Sequence, residues 1–425
     1  MAQFNIEGGH PIQGTFVPRG NKNAVLPMLA AALLTDQPVT LENIPLIEDV
    51  TVMLQLLEAL GLEIDLDGHT LTLCARSITH TDLDPTLCAK VRTSILLAGP
   101  LCARHGSATL YPPGGDIIGR RRIDTHIHGL SELGMQIEID AAYTFKADHL
   151  VGRQIVLDEA SVTATENILM AAVLAEGETI LYNAACEPHV QDLAHLLKKM
   201  GAAITGIGTN RLIIHGVKTL AGATHRVQPD YIEIGSFVTA AITTGGSLSI
   251  PQAGDPLTLS IMQRTFARLG VTWTLDEETL IVPQQAERRV VEDIANSTPK
   301  IEDGIWPAFP SDLMSIAIVL ATQTAGTTLF FEKMFESRMY FVDHLMSMGA
   351  NIIPCDPHRV VVVGPTRLRG STLTSPDIRA GMAMLIAACC ADGKSTIKNA
   401  EVIDRGYEKI EDRLSALGAH IVREH

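Results

Sequence analysis

Six times along the chain an amphipathic stretch ends in a large apolar residue and a glycine, then runs into a β-like segment: "LLEALGLEI", "LSELGMQIEI", "LLKKMGAAI", "TFARLGVTW", "LMSMGANII" and "LSALGAHIV". Their glycines are Gly61, Gly134, Gly201, Gly270, Gly349 and Gly418, spaced by 67 to 79 residues. A second phrase precedes each by 23 to 28 residues: an Ala-rich apolar helix, a tight turn and a strand, as in "AVLAEGETILYNAA" and "AACCADGKSTIKNAE". Gly106, Gly177, Gly246, Gly326 and Gly393, with Asp36 in the first copy, suit left-handed helix ends at these turns. Each copy therefore holds one helix that is apolar all round and one that is apolar on a single stripe, with strands between. A helix apolar on every side must be enclosed, so such copies fold only by burying each other's helices, which turns the sheets outward.

The chain is 425 residues long, too long for one ordinary core, and six copies divide as three plus three. Hydrophobic residues make up 46% and charged residues 19%, a globular balance rather than a disordered one. The net charge of −15 argues against a nucleic-acid surface or an anionic membrane as partner. The start "MAQFNIEGGH" lacks a basic, then apolar, secretory pattern, and no apolar run approaches a membrane span, so a cytoplasmic protein is expected. Seven cysteines form no C-x-x-C pair and sit mostly in apolar segments, which reads as buried reduced thiols.

Against this acidic background stands "YPPGGDIIGRRRIDTH", residues 111–126: a Pro-Pro-Gly-Gly turn, one carboxylate at Asp116, then Arg120, Arg121 and Arg122. A local cationic cluster in an anionic chain invites an anionic ligand. This loop, together with "GNKNAVLPMLAAALL" near the start, "WPAFPSDLMS" and "DRGYEKIEDRLSALGAHI" near the end, resembles the enolpyruvyl transferases, in the branch whose acceptor is a nucleotide sugar. The likeness runs from about residue 5 to residue 423 with the motifs in order.

The resemblance implies an α/β protein of two inside-out α/β barrel domains, each of three βαβαββ-type units: residues 22–230, carrying a catalytic loop at 111–125, and residues 1–21 joined to 231–425. It implies transfer of the enolpyruvyl group of phosphoenolpyruvate to the 3′-hydroxyl of UDP-N-acetylglucosamine with release of phosphate, at the start of peptidoglycan synthesis. No cofactor and no metal are implied. Two other readings stay open: transfer to a different acceptor such as shikimate 3-phosphate, and a paralogue that binds the nucleotide sugar without turning it over.

Such an addition–elimination needs an acid for the methylene carbon, a base for the acceptor hydroxyl and cations around phosphate and carboxylate. By the resemblance, Lys22, Asn23, Arg92, Arg121 and Arg405 line the phosphoenolpyruvate site; the guanidinium fork suits both anionic groups. Asp312 stands as the carboxylate beside the acceptor hydroxyl, with Asp377 and Arg379 as electrostatic support. The nucleotide sugar is expected along Arg121, Arg122, Ile123, Asp124 and Thr125, Glu159, Ala160, Ser161 and Val162, with Met334 near the sugar. Arg122 replaces a usual proline and Thr163 a usual glycine, changes that backbone contacts survive better than side-chain contacts.

Asp116 occupies a position that is cysteine in most members of the family and aspartate in a minority. Either acid can deliver a proton, but a carboxylate is the weaker nucleophile, so fosfomycin insensitivity is expected. The glycines of this loop suit a lid over the substrate. "HIH" at His126 and His128 could suggest a metal, but a helix leading into "GLSELG" is the expectation there, and "GGSLS" near Gly245 has no phosphate-loop lysine.

Overall fold

Each copy of the repeat builds its own small sheet beneath a buried helix. The computed structural model describes residues 2–116, 118–119, 122–285 and 287–424. These divide into two compact units, Gly20–Asp116 with Arg121–Gln228, and Met1–Arg19, Ile117–Arg120 with Pro229–His425.

In the first of these units the apolar helices Lys22–Ala31, Ala98–His105 and Val162–Ala172 lie in one continuous core. Burying a Leu, Ile or Val side chain stabilises by roughly 1.5–3 kcal/mol. Leu26, Leu29, Leu101, Ile168 and Leu169, all fully buried, make these helices the source of the unit's stability. The amphipathic helices Glu48–Leu60, Asp124–Glu132 and Pro188–Lys199 pack outside them. In the last, Leu193, Leu196 and Leu197 face inward while Lys198 and Lys199 sit at the negative end of the helix dipole.

The sheets repeat one pattern. Glu178–Tyr182 pairs parallel with Gln154–Val156 and antiparallel with Arg211–His215, which pairs with Ala203–Thr205. The first copy has the same order, but its parallel partner to Val39–Glu42 is Ala223–Arg226, from the end of the third copy. The ring of three closes on itself.

The other unit repeats the scheme around the helices Tyr231–Thr243, Met314–Thr322 and Ile378–Cys390. Here the chain's beginning fills two gaps. Gly14–Thr15 pairs parallel with Leu248–Ile250, and Gln3–Glu7 lies between Lys394–Lys398 and His420–Glu424, with Phe4 opposite both Ile397 and Arg423. The N-terminal segment thus belongs with the last three copies. Among the described residues, no helix is long and apolar enough to cross a membrane.

The six glycines after the amphipathic helices all have positive φ. Two of the turns after the apolar helices depart from the expected pattern. In the fourth copy the left-handed residue is Gly245 (φ +76°), not Gly246. Gly246 answers to a different demand: a Cβ there would meet the Ile12 carbonyl oxygen at 1.8 Å, so the N-terminal strand can approach only a glycine. In the first copy Asp36 is not left-handed. The helix instead tightens through a 3₁₀ turn, Ala32–Leu34, into extended Thr35. Arg104 makes the left-handed turn unnecessary, because its Nη1 donates to the carbonyls of Leu33, Thr35 and Ala75 at 3.0, 2.8 and 2.8 Å.

Candidate active site

Asn21 begins the helix Lys22–Ala31 by capping it: its Oδ1 accepts from the amides of Asn23 (2.8 Å) and Ala24 (3.1 Å). Lys22 is therefore the first helical residue, buried, with its Nζ 2.7 Å from Asp49 Oδ2. Asp49 lies in the first turn of Glu48–Leu60, where the helix dipole favours an anion.

Arg92 opens the 3₁₀ helix Arg92–Leu97, and its Nη2 donates to the Arg122 carbonyl at 3.0 Å. Arg122 itself is exposed and its Nε donates to Asp124 Oδ2 at 2.7 Å. Ile123 leads into the helix Asp124–Glu132, and Thr125 Oγ1 sits 2.7 Å from Asp158 Oδ1 and 3.3 Å from Glu159 Oε1. Ser161, two residues past Glu159, caps the helix that starts at Val162, with Ala160 between them. The structure thus gathers Arg92, Arg122, Ile123, Asp124, Thr125, Glu159, Ala160, Ser161 and Val162 into one neighbourhood. Arg121 lies outside the described residues.

His126 and His128 lie on a helix, as expected. His126 is buried, its Nδ1 accepts from Asn167 Nδ2 (3.1 Å), and its Nε2 donates to Thr163 Oγ1 (3.0 Å). Burial, with Arg92 as a smaller contribution, pushes its pKa down to about 3, so the ring is neutral. Thr163, one of the departures from the family pattern, is the hydroxyl that completes this bond. Asn167 also accepts from the Gly99 amide and donates to the Ile95 carbonyl, both at 2.8 Å, and so ties the same helices together. Among the described residues no group of His, Cys, Asp and Glu could hold a metal ion.

Asp116 is half-buried, two residues beyond Gly114, whose amide donates to the Cys88 carbonyl at 3.1 Å. The stem of the loop is therefore tied to the short helix Pro85–Cys88.

The second group of predicted residues converges on Asp312. It sits in the 3₁₀ turn Ser311–Leu313 that starts the buried helix Met314–Thr322. Its Oδ2 accepts from Arg379 Nη2 at 2.9 Å and its Oδ1 from Arg338 Nη2 at 3.0 Å. Arg379 is held from the other side by Tyr407: Nη1 donates to the phenolic oxygen at 3.3 Å, and that oxygen is 2.9 Å from Ser236 Oγ. Asp377 caps the helix Ile378–Cys390, accepting from the amides of Arg379 and Ala380 at 2.9 Å each. Arg405 ends the 3₁₀ helix Ala400–Arg405, which packs on that same helix. Gly406 permits the approach, since a Cβ there would meet Ile378 Cγ2 at 2.4 Å. Met334 is exposed, and its amide donates to Glu332 Oε1 at 3.1 Å.

Four residues of this group escaped the sequence reading: Arg338, Glu332, Asp303 and Asp230. Asp230 caps Tyr231–Thr243, and burial pushes its pKa up to about 6, with Arg379 opposing and Glu233 adding to the rise. Glu332 is fully buried. Its carboxyl accepts from Ser311 Oγ at 2.9 Å to each oxygen and from the Phe335 amide at 3.1 Å. Burial, then its neighbour Asp303, pushes its pKa up to about 8. Nothing local in "LFFEKMFESRM" marks Glu332 or Arg338 as anything but surface charges.

The sequence profile of EPSP synthase (3-phosphoshikimate 1-carboxyvinyltransferase) matches residues 6–414. A UDP-N-acetylglucosamine 1-carboxyvinyltransferase of Bradyrhizobium diazoefficiens is 55% identical over 422 residues, which cover 99% of this chain and 98% of that one. One of the same name from Treponema denticola is 53% identical, covering 99% of each chain. Among solved structures, the enolpyruvyl transferase NikO from Streptomyces tendae superposes with a TM-score of 0.89 at 23% identity, over 100% of this chain and 99% of that one. The EPSP synthase of Acinetobacter baumannii gives 0.74 at 18%, over 100% of both chains. At these identities the two structures speak for the fold alone.

Proposed function

The chain belongs to the enolpyruvyl transferase family, and from that premise we propose that it transfers the enolpyruvyl group of phosphoenolpyruvate to the 3′-hydroxyl of UDP-N-acetylglucosamine, releasing phosphate, in the first committed step of peptidoglycan synthesis. The observation that carries the choice of acceptor is the end-to-end identity of 55% with a protein of that name. A cytoplasmic setting goes with this reading.

In the addition step, the Asp116 carboxyl gives its proton to the methylene carbon, the acceptor oxygen bonds to the neighbouring carbon, and Asp312 takes the hydroxyl proton. In the elimination step the methyl carbon returns a proton to the Asp116 carboxylate, the double bond re-forms, and the carbon–oxygen bond to phosphate breaks with its electron pair leaving on the phosphate, which takes the proton held by Asp312. Lys22, Arg92, Arg121 and Arg405, with Asn23, hold the phosphate and carboxylate of phosphoenolpyruvate. The two arginines on Asp312 support its role by holding both carboxylate oxygens in place. The segments Arg122–Thr125 and Glu159–Val162, with Met334, take the nucleotide sugar.

The test is phosphate release from phosphoenolpyruvate with each acceptor in turn. Turnover with UDP-N-acetylglucosamine and none with shikimate 3-phosphate is the expected result, and Asp116→Asn should abolish it. Tight binding of the nucleotide sugar with no phosphate released would replace this reading with that of a non-catalytic binder.

A further inference from the structure

Two buried carboxyl groups, Asp303 and Glu332, are brought side by side: Asp303 Oδ1 accepts from the Lys333 amide at 2.6 Å and Glu332 Oε1 from the next amide, that of Met334, at 3.1 Å. Two adjacent buried carboxyl groups cannot both stay ionised without a counter-ion for each, so one of the two carries a proton. Asp303 sits at the end of the strand Lys300–Glu302 and Glu332 at the end of its neighbour Gly326–Phe331, which brings the pair together by parallel register. Both are fully buried. Glu332 is fully supplied with donors, from Ser311, Met334 and Phe335, whereas Asp303 Oδ1 takes the Lys333 amide at 2.6 Å and Oδ2 is buried with no hydrogen-bond partner.

The pair faces the Asp312 cluster through one side chain. Arg338, almost completely buried, lies with Nε 3.8 Å from Glu332 Oε2 and Nη2 3.0 Å from Asp312 Oδ1, its guanidinium over the Phe335 ring. Its Nε and Nη1 have no hydrogen-bond partner. The guanidinium is thus shared between two acidic sites, with a full bond only to Asp312. Ser311, adjacent to Asp312 in the chain, carries a second link, since its hydroxyl is spent on Glu332.

Charge decides what this arrangement does. Asp303, Glu332 and Asp312 stand around Arg338, and Arg379, the other cation on Asp312, also faces the buried Asp230. The two cations are thus already matched, and a second negative charge on the Asp303–Glu332 pair would be buried with no counter-ion, a costly state. Other charged groups on the packed elements are engaged elsewhere. Lys333 and Lys300 pair with Glu302, Arg359 with Asp356, and His358 Nδ1 donates to the Glu332 backbone carbonyl at 2.8 Å. Glu336 follows on the loop leading to Arg338.

We propose that Asp303 and Glu332 share a single proton and, through Arg338 and Ser311, fix the Asp312 carboxylate for its proton-accepting step, as positioning residues of the transfer reaction. The inference rests on the reading of Asp312 given above. When the pair loses its proton, the second negative charge draws Arg338 toward Glu332 and away from Asp312.

The experiment is kcat and KM against pH for the wild-type protein, Glu332→Gln, Asp303→Asn and the double variant. Each single variant keeps one carboxylate and one neutral partner, so kcat falls only a few-fold at neutral pH. Each also loses the alkaline decline that the wild type shows above about pH 8. The double variant leaves Arg338 without its second anion and loses roughly 100-fold in kcat with little change in KM, the scale expected for a catalytic group displaced by about an ångström. Singles as damaging as the double, or an unchanged alkaline decline in both singles, would overturn the proposal. Infrared spectroscopy of the folded wild-type protein gives an independent reading: a protonated-carboxyl band, shifted by ¹³C-glutamate, that vanishes above the same pH. Its absence also overturns the proposal. Turnover surviving in Asp312→Asn sinks the role of Asp312 instead, and leaves that band in place.

Discussion

Arg379 Nη2 reaches Asp312 Oδ2 at 2.9 Å while the backbone amide of the same arginine is held by Asp377. One residue thus joins a helix start to the carboxylate proposed as the base. Arg379→Lys keeps the charge but loses the planar fork that contacts both Asp312 and Tyr407. The expected result is a fall in kcat of about 100-fold with the fold intact. Phosphate-release kinetics alongside circular dichroism check it, and a kcat within a few-fold of wild type would remove Arg379 from the positioning of Asp312.

Asp116 leads to a prediction with a gain of function. Fosfomycin acts by alkylation, and a thiolate is a far better nucleophile than a carboxylate. Wild-type protein should keep its activity in the presence of fosfomycin, and Asp116→Cys should become inactivated with time as a covalent adduct forms. Mass spectrometry of intact protein reads the adduct directly. Rapid inactivation of the wild type would show that an aspartate at this loop position does not confer insensitivity.

The sixfold repeat was legible because its signal is periodic: apolar helices, amphipathic helices and turn glycines recur in register, and burial enforces all three. Lys22, Asp312 and Arg379 were picked out through local motifs whose residues are neighbours in the chain, and the structure places Arg379 on Asp312. Arg338 and Glu332 were not, because what distinguishes them is burial beside Asp312 and Asp303, created by strand register over some thirty residues of intervening chain. The first turn failed for a similar reason. Arg104, far from Asp36 in sequence, satisfies the helix carbonyls that a left-handed residue would otherwise have capped. The Gly245 and Gly246 pair shows the remaining ambiguity: one glycine is there for its φ and the other for the closeness of Ile12, and composition cannot tell them apart.

The pairing of the N-terminal strand with the last copy makes a stability prediction. Phe4 is fully buried beneath the Arg423 guanidinium, whose carbon lies 4.7 Å from the ring centre, whereas Val422 on the partner strand is 62% exposed. Phe4→Ala should cost about 3–5 kcal/mol. Val422→Ala should stay within about 0.5 kcal/mol. Urea denaturation distinguishes the two; equal midpoints would mean that the first strand contributes nothing to the unit it completes.

His126 gives stability a pH dependence whose sign is fixed by its burial. In the unfolded chain the imidazole takes up a proton near its ordinary value of 6.5, while in the folded protein it stays neutral down to about 3. Its contribution is therefore fully present above pH 6.5 and is lost progressively as the pH falls, because only the unfolded state gains the proton. The loss amounts to about 2 kcal/mol by pH 5. His126→Gln keeps a donor and an acceptor toward Thr163 and Asn167 but has no proton to gain, so its stability should change less over that range by about the same amount. Guanidinium denaturation of both proteins at pH 7.5 and pH 5 measures the difference. Parallel pH dependences would mean that the folded ring takes up the proton as readily as the unfolded chain does, and that burial does not hold it neutral.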